Sequence, residues 1–314
     1  MSIVANIIRN ATKSDKPLNI IIAPYDGIFE YSLCLNTPHT YYVMSACQKL
    51  AQPPVKHNRL IHLDNNPNTW NITLDFDLII CNEITTQVGL CQQISKVYHI
   101  PLLIIHHSLK QPFVKKEDIQ IIRNSHANDT TVVMHEKINE SWYSHFPVMP
   151  YYAPVEDNQH ELKALIAGTF NPGQFNVLQA VKDNIKLPTT IVGNNTGISE
   201  NKTFEECIEL LKTHKVFINL FSELDLNQIM LRAMGLGCVI ISSPSELVSA
   251  FITHGENGFI FKDVAELHKF VISDDIGKKA KMSIMKYNQP LENEEFSKQW
   301  NRLIDITSKK PFLG

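Results

Sequence analysis

Short apolar runs rich in Ile, Leu and Val recur along this chain at the rhythm of a parallel sheet. Leu18-Asn19-Ile20-Ile21-Ile22-Ala23 is the first, stopped by Pro24 and turned by Asp26-Gly27. Such runs, bounded by turn residues, read as buried strands. Thr40–Met44, Arg59–Leu63 and Phe76–Cys81 are further candidates. The last is followed by Thr85–Tyr98, where Val88, Cys91, Ile94 and Val97 fall at helical spacing, and then by Leu102–Ile105. Strand, helix and strand in that order make a βαβ unit, which implies a parallel sheet. Thr130–Met134 adds one more strand.

Residues 147–158 read as a joint, with Pro147, Pro150 and Pro154 around Tyr151-Tyr152 and the polar Glu156-Asp157-Asn158. Past it the rhythm restarts. Leu162–Ala167 ends in Gly168 and Thr189–Val192 ends in Gly193. Val216–Leu220, Cys238–Ser242 and Gly258–Phe261 follow, alternating with helical stretches at Asn176–Asn184, Phe204–Thr213, Leu226–Met234, Glu246–Ile252 and Val264–Val271. Gly235 and Gly237 close the third of these helices. The tail Asn293–Asp305 is amphipathic, with Phe296, Trp300, Leu303 and Ile304 on one face. The expectation is an α/β protein of two domains, 1–153 and 154–314, with ligands at the carboxyl ends of the strands and between the halves.

Length and composition agree. A chain of 314 residues accommodates about two domains. Its hydrophobic share of 44% against 19% charged residues excludes disorder as the main state. A net charge of -3 argues against a protein built to hold nucleic-acid backbone, though not against a local basic groove. The six cysteines, at 34, 47, 81, 91, 207 and 238, form no CxxC pair and read as reduced, mostly buried thiols. Met1-Ser2-Ile3-Val4-Ala5-Asn6 lacks the pattern of a signal peptide. No apolar run approaches the roughly 20 residues of a membrane span, so the expectation is a cytoplasmic chain with no transmembrane segment.

The second half carries the most specific motifs. Ser222-Glu223-Leu224-Asp225 precedes a helix ending Arg232-Ala233-Met234-Gly235-Leu236-Gly237. The strand Cys238-Val239-Ile240-Ile241-Ser242 follows, then the turn His254-Gly255-Glu256-Asn257-Gly258-Phe259. Upstream lie Ala167-Gly168-Thr169-Phe170-Asn171-Pro172 and Thr190-Ile191-Val192-Gly193-Asn194. In this order and spacing the segments resemble the donor-nucleotide half of family 4 glycosyltransferases with the GT-B fold, over most of 162–305. The resemblance implies two Rossmann-like domains facing across a cleft, with a closing helix at 293–308 that crosses back onto the first. It implies transfer of a sugar from a nucleoside-diphosphate sugar, with retention of configuration and without a metal. No cofactor is called for beyond that donor substrate.

On this reading the donor side comprises Gly168, Thr169, Asn171, Gln174, Gly193, Asn194, Ser222, Asp225, Leu226, Asn227 and Arg232. Glu223 is the carboxylate able to accept sugar or ribose hydroxyls. A diphosphate calls for backbone N–H donors and a positive helix end, which the helix starting near Asp225–Asn227 offers. Glycines at 168 and 193 permit close approach to backbone. The chain also departs from the family. Arg232 stands where a glutamate usually precedes Ala-Met, and arginine accepts no hydrogen bond. Thr169 and Gln174 stand where an arginine and a lysine usually clamp the diphosphate. These departures favour, as a second reading, a non-catalytic protein that binds a sugar nucleotide or glycan.

The first half is less specific. Tyr25-Asp26-Gly27 occupies the place of the family's glycine-rich acceptor loop. His106 and His107 end a strand where the family has a histidine near the donor sugar, and the sequence does not choose between them. The acceptor is left open as a glycan, a small molecule or modified DNA, and a sugar-nucleotide epimerase shares the same architecture. Asp75-Phe76-Asp77 resembles a metal-binding triplet, yet it opens a parallel strand at the end away from ligands. Lys278-Lys279-Ala280-Lys281 reads as a surface face, and Tyr151-Tyr152 as packing and hinge residues.

Overall fold

A computed structural model of the chain describes residues 16–25, 27–44, 57–64, 75–82, 87–109, 114–125, 129–149, 151, 153, 155–168, 170, 174–193, 202, 204–220, 228–288 and 293–310. These divide into two compact units. Residues up to Tyr151 join with 293–310 in the first, and those from 153 to 288 form the second.

The first unit is built on strands β1 (Asn19–Ala23), β2 (Thr40–Met44), β3 (Leu60–Leu63), β4 (Leu78–Cys81), β5 (Leu102–His106) and β6 (Thr130–Val133), in the order β3-β2-β1-β4-β5-β6. Every neighbouring pair is parallel. Ile20, Ile21, Ile22 and Leu78–Cys81 are wholly buried, which is why these strands are written as unbroken apolar runs. The order reverses between β1 and β4, the place where doubly wound sheets gather ligands beyond their carboxyl ends. Ala23 lies opposite Cys81 and Cys81 opposite Ile104, so Pro24-Tyr25, Asn82 and His106-His107 leave the sheet along one edge.

Helix α1 (Ile28–Asn36) fills the turn after β1, and nothing in the sequence pattern announces it. Its N-cap is Gly27, held at φ +74° without a side-chain cap, a conformation cheap only for glycine. Helices α2 (Val88–Tyr98), α3 (Lys116–Ser125) and α4 (Glu136–Trp142) follow. The C-terminal helix Asn293–Ser308 packs on this unit through Phe296, Trp300 and Ile304, all buried at four-residue spacing. The Trp300 ring meets Phe29 of α1 edge-on at 5.4 Å, and the Ser297 hydroxyl donates to the Asn36 carbonyl.

The second unit carries β7 (Glu161–Ala167), β8 (Thr189–Val192), β9 (His214–Asn219), β10 (Val239–Ser242) and β11 (Phe259–Ile260), all parallel in the order β11-β10-β9-β7-β8. Ala164, Ile166, Val216, Ile218, Val239 and Ile241 form its core against Leu178, Val181 and Ile185 of α5 (Phe175–Ile185). Helices α6 (Phe204–Thr213), α7 (Gln228–Gly235), α8 (Glu246–Ser249) and α9 (Asp274–Asn288) complete the layers.

Two predicted helices are shorter. α8 stops after one turn because Asn257 takes the backbone beyond it: its amide donates to the Phe251 carbonyl (2.9 Å) and its oxygen accepts the Thr253 N–H (2.7 Å). Val264–Lys269 is a 3₁₀ turn opened by an Asp263–Glu266 capping box, and it ends where Phe270 stacks on Phe259 at 4.6 Å. The lysine run at 278–281 belongs to α9, with Lys279 exposed and Ala280 buried. Among the described residues no helix is long and apolar enough to cross a membrane. Cys34, Cys81, Cys91, Cys207 and Cys238 are buried.

Candidate functional site

At the carboxyl edge of the first sheet, three side chains from three elements grip the main chain of residues 23–25. Asn82, 1% exposed, donates its amide hydrogens to the Ala23 carbonyl (2.8 Å) and to Oε1 of Glu30 (3.0 Å). The same Glu30 oxygen accepts the Tyr25 N–H (2.5 Å). Gln87, at the start of α2, donates to the Pro24 carbonyl (3.1 Å). Glu30 itself is 1% exposed, on the inner face of α1.

His107 completes this network. Its Nε2 lies 3.1 Å from the Asn82 oxygen and its Nδ1 2.8 Å from the Tyr151 hydroxyl. The Asn82 nitrogen is committed to two acceptors, so its oxygen must face the ring and His107 Nε2 carries the proton. The His107 ring lies parallel to Tyr25, with centroids 3.9 Å apart and planes 15° off, and Phe29 meets it edge-on at 4.8 Å. Tyr25 is half-buried, while His107 is 1% exposed.

The geometry separates the two histidines that the sequence left paired. Successive residues of an extended strand face opposite ways. His107 joins Tyr25, whereas His106 sits between Phe146, stacked at 5.7 Å, and Trp142, edge-on at 5.4 Å. The Trp142 indole donates to the Ser108 carbonyl (3.0 Å) and closes that second cluster. Gly27 lies beside Tyr25 as the α1 cap, and Asp26 is outside the described residues. Sequence reasoning missed Glu30, Asn82 and Gln87, and it read Tyr151 as packing. A polar residue directly after a buried strand, as Asn82 follows Leu78–Cys81, was the available signal.

In the second unit, Gly168 and Gly193 meet at neighbouring strand ends. The Gly168 N–H donates to the Val192 carbonyl (3.1 Å). A Cβ on Gly193 would lie 2.3 Å from the Gly168 oxygen and 2.7 Å from the Phe170 ring, so the space a side chain would need is already filled by Phe170. Gln174 is half-buried at the N-cap of α5 and makes no side-chain cap bond. Arg232 is half-buried in the last turn of α7, the end of a helix that suits a cation. Beneath α7, the buried Asn219 at the end of β9 donates to the Ser242 hydroxyl at the end of β10 (2.9 Å). Thr169, Asn171, Asn194, Ser222, Glu223, Asp225, Leu226 and Asn227 lie outside the described residues.

The turn Gly255-Glu256-Asn257-Gly258 is a structural clamp. Gly255 has φ +82° and donates its N–H to the Gly258 carbonyl (2.8 Å). Asn257 holds both sides of the turn and also donates to the Ser283 hydroxyl of α9 (2.8 Å). A Cβ on Gly258 would lie 2.9 Å from the Ile240 carbonyl. Asp77 is likewise occupied: its carboxylate accepts the Asn19 N–H (2.9 Å) at the amino end of β1, opposite the edge just described. At that same end His39 Nδ1 accepts the Leu18 N–H (3.1 Å), and burial, helped by the Arg59 charge, pushes its pKa down to about 4. Burial raises the Cys207 and Cys238 thiols to about 12, which leaves them protonated and poor nucleophiles.

No family model matches the chain, and no curated protein matches it at a significant level. Solved structures do match its fold. HepE of Anabaena, in a complex with UDP and glucose, superposes with a TM-score of 0.64 at 11% identity, over 92% of this chain and 99% of that one. Sucrose-phosphate synthase of Thermosynechococcus elongatus matches with a TM-score of 0.60 at 13% identity, over 92% and 98% of the two chains. A glycosyltransferase of Rickettsia africae matches with a TM-score of 0.57 at 9% identity, over 94% and 99%. The chain is an α/β protein with two parallel sheets, each layered with helices, and it shares the GT-B fold of these glycosyltransferases.

Proposed function

We propose that this chain is a glycosyltransferase that moves a sugar from a nucleoside-diphosphate sugar to an acceptor, with retention at the anomeric carbon and without a metal. One observation carries the reading: the match to a structure holding UDP and glucose runs over 92% of this chain and 99% of the other, so it spans both units. The ordered family 4 motifs of the second half support it independently.

In this proposal the second unit binds the donor. The strand-end backbone at Gly168 and Gly193, and the N-terminal end of α7, face the diphosphate as charge builds on the leaving group. Glu223 accepts hydroxyls of the sugar or ribose, and Arg232 and Gln174 lie on the diphosphate side. The first unit serves the acceptor through Tyr25, Asp26 and Gly27. His107 acts from within, since both its ring nitrogens are engaged by Asn82 and Tyr151. The reaction takes place in the cytoplasm.

The replacement of the usual glutamate by Arg232 supports the second reading, a non-catalytic binder of a sugar nucleotide or glycan. A thermal-shift screen over nucleoside diphosphates and nucleotide sugars tests both, because a ligand that binds only the folded state raises the midpoint by mass action. The transferase reading expects one nucleotide series to stabilise the chain, Glu223→Ala to lose the preference for the sugar form, and slow hydrolysis of that donor. Stabilisation without any turnover of the donor selects the binder. No shift with any nucleotide rejects the transferase and leaves, of the second reading, the binder of a glycan.

A further inference from the structure

We propose that Tyr25 is a rigid platform on which a neutral sugar ring of the acceptor packs, and that Glu30, Asn82, Gln87 and His107 are the positioning residues that hold it. The word acceptor rests on the transferase reading; the platform does not. Burying polar side chains is unfavourable unless each is paired. Here four of them, from α1, the end of β4, the start of α2 and the end of β5, converge on three consecutive residues. Ala23 and Pro24 are buried, so the group this framework presents outward is the half-buried Tyr25.

A ring backed by a parallel imidazole at 3.9 Å has little rotamer freedom left to lose when a ligand arrives. Aromatic faces of this kind supply apolar contact area at low entropic cost. Charge narrows the ligand class. Among the described residues that hold Tyr25 there is a carboxylate, Glu30, and no lysine or arginine. A phosphate group or a nucleic-acid backbone is recognised by cations, so an uncharged ring is the better fit. A role confined to shaping the turn is distinguishable, because the bonds that hold residues 23–25 use main-chain atoms that a Tyr25 substitution retains.

The test uses the full chain. Saturation-transfer NMR with methyl glucoside, methyl galactoside, methyl mannoside and methyl N-acetylglucosaminide reads the platform, while the thermal shift with UDP reads the donor side. The expected result is transfer to at least one glycoside, retained in Tyr25→Phe and roughly tenfold weaker in Tyr25→Ala. The UDP shift of Tyr25→Ala, read against that variant's own unfolding midpoint, stays at the wild-type value. His107→Gln, which keeps an amide donor for Asn82 but loses the stacked ring, weakens glycoside binding and leaves the UDP shift in place. Glycoside binding equal in wild type and Tyr25→Ala overturns the platform. So does a UDP shift with no glycoside binding, which leaves the transferase reading standing. Glycoside binding through Tyr25 with no nucleotide shift keeps the platform and overturns the transferase. Absence of both overturns both.

Discussion

Replacing Asn82 by alanine removes three hydrogen bonds at once. The Ala23 carbonyl loses its donor at 2.8 Å, Glu30 Oε1 loses one at 3.0 Å, and His107 Nε2 loses its acceptor at 3.1 Å. Ala23, Glu30 and His107 are each no more than 1% exposed, so water reaches them only by entering the space the side chain leaves. In a buried site each lost hydrogen bond costs about 1–2 kcal/mol, the one to the Glu30 carboxylate the most, so the three together cost about 3–6 kcal/mol. For a domain of this size that is a fall in melting temperature of about 6–20 °C for the first unit.

Circular dichroism under heat and urea measures the fall, with the second unit's transition as internal reference. Asn82→Asp is the control. It restores the acceptor for His107 yet places a second carboxyl against Glu30, and Glu30→Gln in that background relieves the conflict, giving a coupling of about 0.5–3 kcal/mol. A loss below about 1 kcal/mol in Asn82→Ala, or additivity in the Asn82→Asp and Glu30→Gln pair, refutes a network that works as a unit.

Gly193→Ala forces a Cβ against the Gly168 carbonyl and the Phe170 ring. It destabilises the second unit by about 1–3 kcal/mol or more. An unchanged urea midpoint would show that the loop at 168–170 can move away. Asn257→Ala releases the Phe251 carbonyl, the Thr253 N–H and the Ser283 hydroxyl. It lowers the second unit's stability by about 2–4 kcal/mol and speeds hydrogen exchange at Thr253, while exchange in the first unit stays constant. His39 makes the first unit sensitive to acid. The unfolded chain takes up a proton near 6.5 that the folded unit refuses until about 4. Stability therefore falls as pH drops through that window and levels off beneath it, by about 3 kcal/mol in all. His39→Gln flattens this part of the profile, and equal slopes for the two proteins would remove His39 as its cause.

Much of the framework was legible because burial on both faces leaves a strand no choice of residue type. Phe76–Cys81 and Leu102–Ile105 read as strands for the reason that the strands there, Leu78–Cys81 and Leu102–His106, are buried throughout. One helix that escaped notice lacked the usual marks. α1 is capped by glycine backbone rather than by a side chain, and its inner face mixes Phe29 and Leu33 with Glu30. α8 ended early because Asn257, four residues past Thr253 and six past Phe251, takes the backbone groups that a longer helix would have used.

The site was only half legible. Tyr25 and the histidine pair stood out because chemistry-bearing residues after a strand are unusual. Glu30, Asn82, Gln87 and Tyr151 each resemble an ordinary surface or packing residue until the register of β1, β4 and β5 brings them together. Local pattern alone therefore determined the alternation of strand and helix, the parallel sheets and the glycines at strand ends, since periodicity and backbone freedom act between neighbours. Which histidine meets Tyr25, why Gly193 must lack a side chain, and what a buried glutamate holds were decided by tertiary structure. Each depends on atoms within about 3–4 Å in space from residues far apart along the chain, a relation that hydrogen bonds and van der Waals contacts enforce only once the fold is formed.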